Sequence, residues 1–141
     1  MKKILVTGGA GYIGSHTVVS LVEQGYFPVI VDDLRNSSLV LLEGLKELCG
    51  DRFSFLSIDI CEKSDLFSVF ETRAIDAVIH FAAYKSVGES CDVPLRYYQN
   101  NLIGLMNVLE ACQTFKVEKF VFASSCTVYG EPEERQVFES T

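Results

Sequence analysis

The chain has 141 residues, 48% of them hydrophobic, and a formal net charge of −7. That length suits one domain or part of a larger one, and the apolar share is enough to fill a core. An acidic chain without a basic patch is a poor partner for nucleic acid, although a nucleotide held by backbone N–H groups remains open to it.

Residues 3–7, Lys-Ile-Leu-Val-Thr, predict a first strand, which runs into glycines spaced G-x-x-G-x-x-G at Gly8, Gly11 and Gly14. Residues 12–24 place Ile13, Val18, Leu21 and Val22 at helical spacing, and Gly25 supplies a stop. Residues 28–32, Pro-Val-Ile-Val-Asp, predict a second strand ending at Asp32, followed by a leucine-rich helix over 38–48. A third strand over 53–58 is closed by Asp59, and a short helix over 63–72 puts Leu66, Val69 and Phe70 on one face. The fourth strand is read over 77–82, and the longest helix over 94–114, opened by Asp92 and Pro94. Leu95, Tyr98, Leu102, Leu105, Leu109 and Cys112 form its expected apolar face, and 119–124 predict a fifth strand.

Strands apolar on both faces, alternating with helices, specify an α/β fold with a parallel sheet covered on both sides. With a glycine turn after the first strand, the expected architecture is a doubly wound, Rossmann-type sheet in the order 3-2-1-4-5. After Gly130 the text becomes acidic and irregular (Glu131, Glu133, Glu134). A doubly wound domain ordinarily has a sixth strand, so residues 1–141 are expected to be an incomplete dinucleotide-binding domain. It would be cut before its remaining strands and any substrate domain, leaving an apolar patch beside the fifth strand.

No apolar run approaches the roughly 20 residues of a membrane span, and the run after Met1-Lys2-Lys3 is too short for a signal peptide. Cys49, Cys61, Cys91, Cys112 and Cys126 are scattered, odd in number and without C-x-x-C or metal-ligand spacing. Reduced thiols in a cytoplasmic protein are expected, with no metal site and no membrane partner.

In such a sheet, ligands lie beyond the carboxyl ends of the strands. Bare N–H groups at a helix start, with the positive end of the helix dipole, favour a phosphate. The glycine turn and Asp32 about 20 residues on therefore indicate a dinucleotide. Asp32 would accept from both ribose hydroxyls and disfavour a 2′-phosphate, so NAD is expected over NADP. Arg35 argues the other way, since an arginine there can pair with that phosphate. Asp32 and Asp33 read alternatively as a solvated turn or helix cap. Asp59 would meet the adenine amino group with Ile60 on the ring, or cap the following helix. Small residues after the fourth strand would let a cofactor lie flat, and Lys85 would bring charge to its nicotinamide side. By itself Lys85 is an ordinary surface lysine. Asn100 and Asn101 interrupt the long helix, and Asn100 would fix the fourth-strand loop, reach the cofactor, or serve structure alone. The hydroxyls of Ser124, Ser125 and Thr127 would bind a substrate hydroxyl or simply make a turn. Cys126 has no partner base and reads as a small filler, and His16 and His80 read as packing or satisfied polar residues.

The succession T-G-G-A-G-Y-I-G-S-H, D-D-L-R-N-S, D-I, F-A-A-Y-K-S-V-G-E-S, Y-Y-Q-N-N and S-S-C-T-V-Y-G resembles the UDP-glucose 4-epimerases of the extended short-chain dehydrogenase/reductase superfamily. V-G-E-S after the lysine favours them over sister dehydratases. The resemblance implies tightly held NAD, a UDP-hexose substrate oxidised and re-reduced at C4 in galactose metabolism, and a homodimer in the full-length protein. It implies that Gly8, Gly11, Tyr12, Ile13 and Gly14 line the pyrophosphate, and that Asp32, Asp33, Leu34, Arg35, Asn36 and Ser37 surround the adenosine ribose. Asp59 and Ile60 would meet the adenine. Phe81, Ala82, Ala83, Tyr84, Lys85 and Asn100 would line the rest of the cofactor. Ser125 would be catalytic, and Lys85, Ser125, Cys126 and Thr127 would lie at the substrate. Tyr84 and Ser86 vary the family's smaller or aliphatic choices, and Cys126 stands for its usual alanine. The family's Y-x-x-x-K base lies beyond the serine, and Tyr129 is not that tyrosine, since no lysine follows it at the right spacing. A catalytically incomplete piece is expected. A non-catalytic NAD-binding regulatory module is the alternative, and half of a sister nucleotide-sugar dehydratase or decarboxylase a lesser one.

Overall fold

The computed structural model describes residues 1–131 and 136–139. Five strands form one parallel sheet in the order β3-β2-β1-β4-β5, as expected. They are β1 (Lys3–Thr7), β2 (Phe27–Asp32), β3 (Ser54–Ser57), β4 (Ala77–His80) and β5 (Phe120–Phe122). Thr7 at the end of β1 pairs in register with Val31 and with His80, and Asp32 pairs with Ser57. The ends of the three central strands therefore meet on one edge, and the winding reverses between β1 and β4.

Side chains alternate across a strand, and β1 sorts its apolar residues accordingly. Leu5 joins Val29, Val31 and Val78 in a core with Leu66, Val69 and Phe70 of α3 (Lys63–Arg73) and Val108 and Ala111 of α6 (Gly104–Thr114). Ile4 and Val6 join Ile30 in a second core with Val18 and Val22 of α1 (Tyr12–Glu23) and Leu45 and Cys49 of α2 (Leu39–Cys49). Two cores on two faces are what a doubly covered parallel sheet requires. All five cysteines are free thiols. Among the described residues no helix is long and apolar enough to cross a membrane, and no group of ligand-type residues could hold a metal ion.

The segment after β4 departs from expectation. Residues 87–92, between the expected fourth strand and the expected long helix, form a short helix, α4 (Val87–Asp92), whose N-cap Ser86 accepts from the Glu89 amide at 3.5 Å. This is half of an S-x-x-E capping pattern. Asp92 ends that helix, and Pro94 opens α5 (Pro94–Tyr98) at its first position. A π-helical turn over Gln99–Ile103 then joins α5 to α6 in one rod. The residue it inserts re-phases the helix by about 100°. The core consequently receives Tyr97, Gly104, Asn107, Val108, Ala111 and Cys112. Of the expected apolar face only Cys112 is buried, while Leu95, Tyr98, Leu102 and Leu109 lie open to solvent. Val121 and Phe122 of β5 are also exposed, giving the apolar flank the sequence led us to expect. The acidic residues Glu133 and Glu134 fall outside the described residues.

His80 is a packing residue, as expected. It is 3% exposed, stacks on Phe120 and Phe122, and its Nδ1 lies 2.8 Å from the Thr7 hydroxyl. The Ala82 amide donates to that hydroxyl at 3.3 Å, and the buried ring is neutral. Burial pushes the imidazole down to about 4 from 6.5. Between those values the unfolded chain takes up a proton that the folded chain refuses. Folding is therefore unaffected by this group above pH 6.5 and loses up to about 3 kcal/mol as pH falls toward 4. Urea unfolding of His80→Asn, whose amide oxygen can still accept from Thr7, is expected to show a flatter stability profile over that window; a slope equal to the parent's would contradict this.

Candidate functional site

The site begins where β1 gives way to α1. Gly8 has φ +69°, and a Cβ there would lie 2.8 Å from the Ala82 amide nitrogen, so only glycine allows β1 and the post-β4 loop to close up. A Cβ on Gly14 would run into the Gly8 carbonyl oxygen and lie 2.8 Å from Gly9 Cα. The missing side chain lets α1 sit directly on the turn. Gly11 is the N-cap of α1 and makes no side-chain cap bond, and among the described residues its Cβ would meet the Gly8 carbonyl oxygen alone, at 3.2 Å. The first turn of α1 thus keeps amides without intrahelical partners and no side chain laid across them by the cap. Tyr12 and Ile13 stand exposed beside it, and the Tyr12 ring meets His16 edge-on.

Asp32, ending β2, is tied into this turn. One carboxylate oxygen accepts from the Ala10 amide at 3.1 Å, and the other from the Leu34 amide at 2.9 Å and the Ser37 hydroxyl at 2.7 Å. Asp32 is therefore not a helix cap; Ser38 caps α2. Leu34 takes a left-handed φ of +61°, which bends the loop so that Arg35 points back over the sheet edge. Asn36 is exposed beside it.

Arg35 joins three loops. Its Nη2 donates to Asp59 at 2.6 Å, its Nε lies 3.3 Å from Asp33, and its Nη1 donates to the Tyr84 hydroxyl at 3.3 Å. The Tyr84 hydroxyl, against some burial, and then the two carboxylates hold the guanidinium charge even more firmly than usual. An arginine engaged this way is not waiting for a 2′-phosphate. Asp59 accepts from the Cys61 amide at 2.8 Å through its other oxygen. Burial pushes its carboxyl up, but the Cys61 amide and Arg35 outweigh burial and hold it below the usual range. It caps no helix, since Glu62 is the N-cap of α3. The Cys61 thiol is pushed up to about 11 by burial and by the Asp59 charge, so it stays protonated.

The loop of Phe81–Ala83 runs past Gly8, with Ala83 and Lys85 exposed and Tyr84 buried. Asn101, rather than Asn100, fixes it. Asn101 Oδ1 accepts from the Tyr84 amide at 2.8 Å and its Nδ2 donates to the Tyr84 carbonyl at 2.9 Å. Among the described residues the Asn100 side chain reaches Asn101 alone, at 3.0 Å. The Asn-Asn doublet signalled the function and left open which residue performs it; the π turn decides. Two further residues went unread in the sequence. Asn107 donates to the carbonyls of Ile60 and Cys61, both at 3.0 Å, and a Cβ on Gly104 would lie 2.6 Å from Ile60 Cδ1. Together they press the loop of residues 59–61 onto α6.

Ser125 follows β5 as the N-cap of a 3₁₀ turn (Cys126–Tyr129). Its Oγ lies 2.7 Å from Thr127 Oγ1 and accepts from the Thr127 amide at 3.3 Å. Ser125, Cys126 and Thr127 are all exposed at the same strand-end edge as the glycine turn. The glycine turn, the Asp32 loop, the Asp59 loop and the Lys85 loop come together around β1, and the Ser125 loop lies one strand further out.

These residues fit a dinucleotide. Uncapped first-turn amides under a side-chain-free Gly11 suit a pyrophosphate, and a carboxylate held beside them suits a ribose.

Comparison with known proteins agrees. A family model described as GDP-mannose 4,6 dehydratase matches residues 5–141. A UDP-glucose 4-epimerase of Dictyostelium discoideum is 51% identical over 130 residues, covering 92% of this chain and 38% of that protein. One from Bacillus subtilis is 50% identical over 136 residues, covering 96% of this chain and 40% of that protein. The crystal structure of a Stenotrophomonas maltophila UDP-glucose 4-epimerase with bound NAD and formylated UDP-arabinopyranose superposes with a TM-score of 0.92 at 44% identity. It covers 99% of this chain and 42% of that one. The Bifidobacterium longum enzyme in complex with NAD⁺ and UDP gives 0.91 at 40% identity, over 98% of this chain and 41% of that one. The chain thus spans about two fifths of the length of these relatives.

The loop clamp gives a direct prediction. Asn101→Ala leaves both polar groups of Tyr84 without their partner and is expected to cost about 1–3 kcal/mol in urea unfolding. Asn100→Ala is expected to stay within about 0.5 kcal/mol of the parent; equal losses in the two variants would refute the assignment.

Proposed function

This chain belongs to the family described as GDP-mannose 4,6 dehydratase, and from that premise we propose that it is the NAD-holding part of a UDP-glucose 4-epimerase. The observation that carries the reading is the glycine turn, with bare α1 amides on one side and Asp32 bonded to the Ala10 amide on the other. The first turn of α1, with Tyr12 and Ile13, takes the pyrophosphate. Asp32 and the loop through Ser37 take the adenosine ribose, and Asp59 and Ile60 the adenine. Phe81 to Lys85 line the nicotinamide side, with Asn100 nearby. NAD is chosen over NADP because the Asp32 carboxylate would face a 2′-phosphate with like charge while Arg35 is already engaged.

When bound, NAD supplies a hydride acceptor for C4 of a UDP-hexose. Ser125 orients the 4-hydroxyl by exchanging its bond to Thr127 for one to the sugar. Thr127 and Cys126 border the same sugar, and Lys85 adds positive charge at the nicotinamide end. No acidic residue stands at Cys126 or Thr127, which favours epimerisation over the chemistry of sister dehydratases. The exposed stripe of Leu95, Tyr98, Leu102 and Leu109 supports a homodimer of the longer protein, and the free thiols fit a reducing, cytoplasmic setting.

Calorimetric titration of the 141-residue chain is expected to show NAD binding that Asp32→Ala weakens by about tenfold, the loss of one or two hydrogen bonds to a charged group. The same substitution should narrow the preference for NAD over NADP. Without a Y-x-x-x-K pair the chain should bind NAD and leave UDP-galactose unchanged. Absence of NAD binding, or turnover by these 141 residues, would overturn the proposal.

A further inference from the structure

We propose that Arg35 is a positioning residue that makes the Asp59 carboxylate a fixed acceptor for the 6-amino group of adenine, and that it thereby selects adenine over a 6-oxo purine. The proposal rests on the NAD reading above and adds a residue that the reading placed only near the ribose.

An ionised carboxylate only accepts, with about four lone-pair positions. At Asp59 the Cys61 amide occupies one oxygen at 2.8 Å and Arg35 Nη2 the other at 2.6 Å. Two donors on opposite oxygens fix the rotation of the group and leave lone-pair positions for a further donor. Unsupported, an aspartate side chain at 17% exposure could rotate or take up a proton. Beside a guanidinium it does neither, so it presents acceptors alone. Adenine offers a donor at that edge, whereas hypoxanthine or guanine offers a 6-oxo acceptor, which would leave two acceptors face to face.

Arg35 can do this because it is itself held. Asp33 flanks its Nε and the Tyr84 hydroxyl accepts from its Nη1. Tyr84 in turn is packed at 5.5 Å from the Tyr97 ring and lies under the Arg96 guanidinium, 4.9 Å from its centroid. Arg96 is paired with Glu89 at 2.8 Å, and Glu89 also accepts from the Tyr97 hydroxyl at 2.7 Å. The guanidinium is thus braced from the β4 side of the crevice while it orients a carboxylate on the β3 side. A lysine has one ammonium and cannot contact three partners in a plane.

The test compares binding of NAD and nicotinamide hypoxanthine dinucleotide to the 141-residue chain by calorimetry. The parent is expected to prefer NAD by about tenfold or more, because the oxo analogue sets a second acceptor against the half-buried Asp59 carboxylate. Arg35→Ala should bring that preference within about threefold. Arg35→Lys should restore it in part, and Tyr84→Phe should reduce it less than Arg35→Ala. The lost positive charge weakens both ligands alike and cancels in the ratio. A ratio unchanged in Arg35→Ala, or restored fully by lysine, would overturn the role of Arg35 while leaving the NAD site standing. A parent chain that binds neither dinucleotide would overturn both.

Discussion

Everything at the functional edge depends on one close approach: the first turn of α1 resting on the backbone of Gly8. A side chain at Gly14 would collide with the Gly8 carbonyl, and one at Gly8 would collide with the Ala82 amide. Those contacts set the distance between α1, β1 and the loop after β4. They also bring the Ala10 amide within 3.1 Å of Asp32. Because parallel strands in register finish at a common edge, the loops after β2, β3 and β4 inherit this spacing.

Around that contact the loops are fastened by polar groups as well as by apolar packing, as at Ile60 in the core. Asp32 ties the β2 loop to the turn, Arg35 ties β2 to β3 and β4, Asn101 holds the β4 loop, and Asn107 holds the β3 loop. This is consistent with a ligand edge, since directional hydrogen bonds fix geometry that non-directional apolar contact leaves loose. The π turn belongs to the same scheme. It breaks the helix phase where Asn101 must face the loop, and the consequence is an apolar stripe turned to solvent on the same rod.

Much of this could be read in the sequence. Strand order, the two-faced sheet, the glycine turn and Asp32 all follow from short-range patterns, because each element carries its own apolar period and each turn its own punctuation. The phase of the long helix could not be read, since a single inserted residue leaves no mark in periodicity when both faces are apolar. Helix α4 was missed although Ser86 and Glu89 spelled a capping pattern; the small residues of Val87-Gly88 resembled a loop. The roles of Asn101, Asn107 and Arg35 depend on partners 17, 46 or 47, and 24 or 49 residues away, which no local pattern encodes. The family resemblance named residues in the loops after β2, β3 and β4 and could not supply these partners, because Arg35 and Tyr84 meet across the crevice.

The central claim is that one continuous dinucleotide site runs from the glycine turn to Asp59. The most direct measurement is a ¹⁵N-resolved NMR titration of the chain with NAD. The account predicts the largest amide shifts at Gly11 to Gly14, at Asp32 to Ser37 and at Asp59 to Cys61, saturating together at one affinity. Shifts that spare the glycine turn, or that cluster on the outward face of the α5–α6 rod, would contradict it.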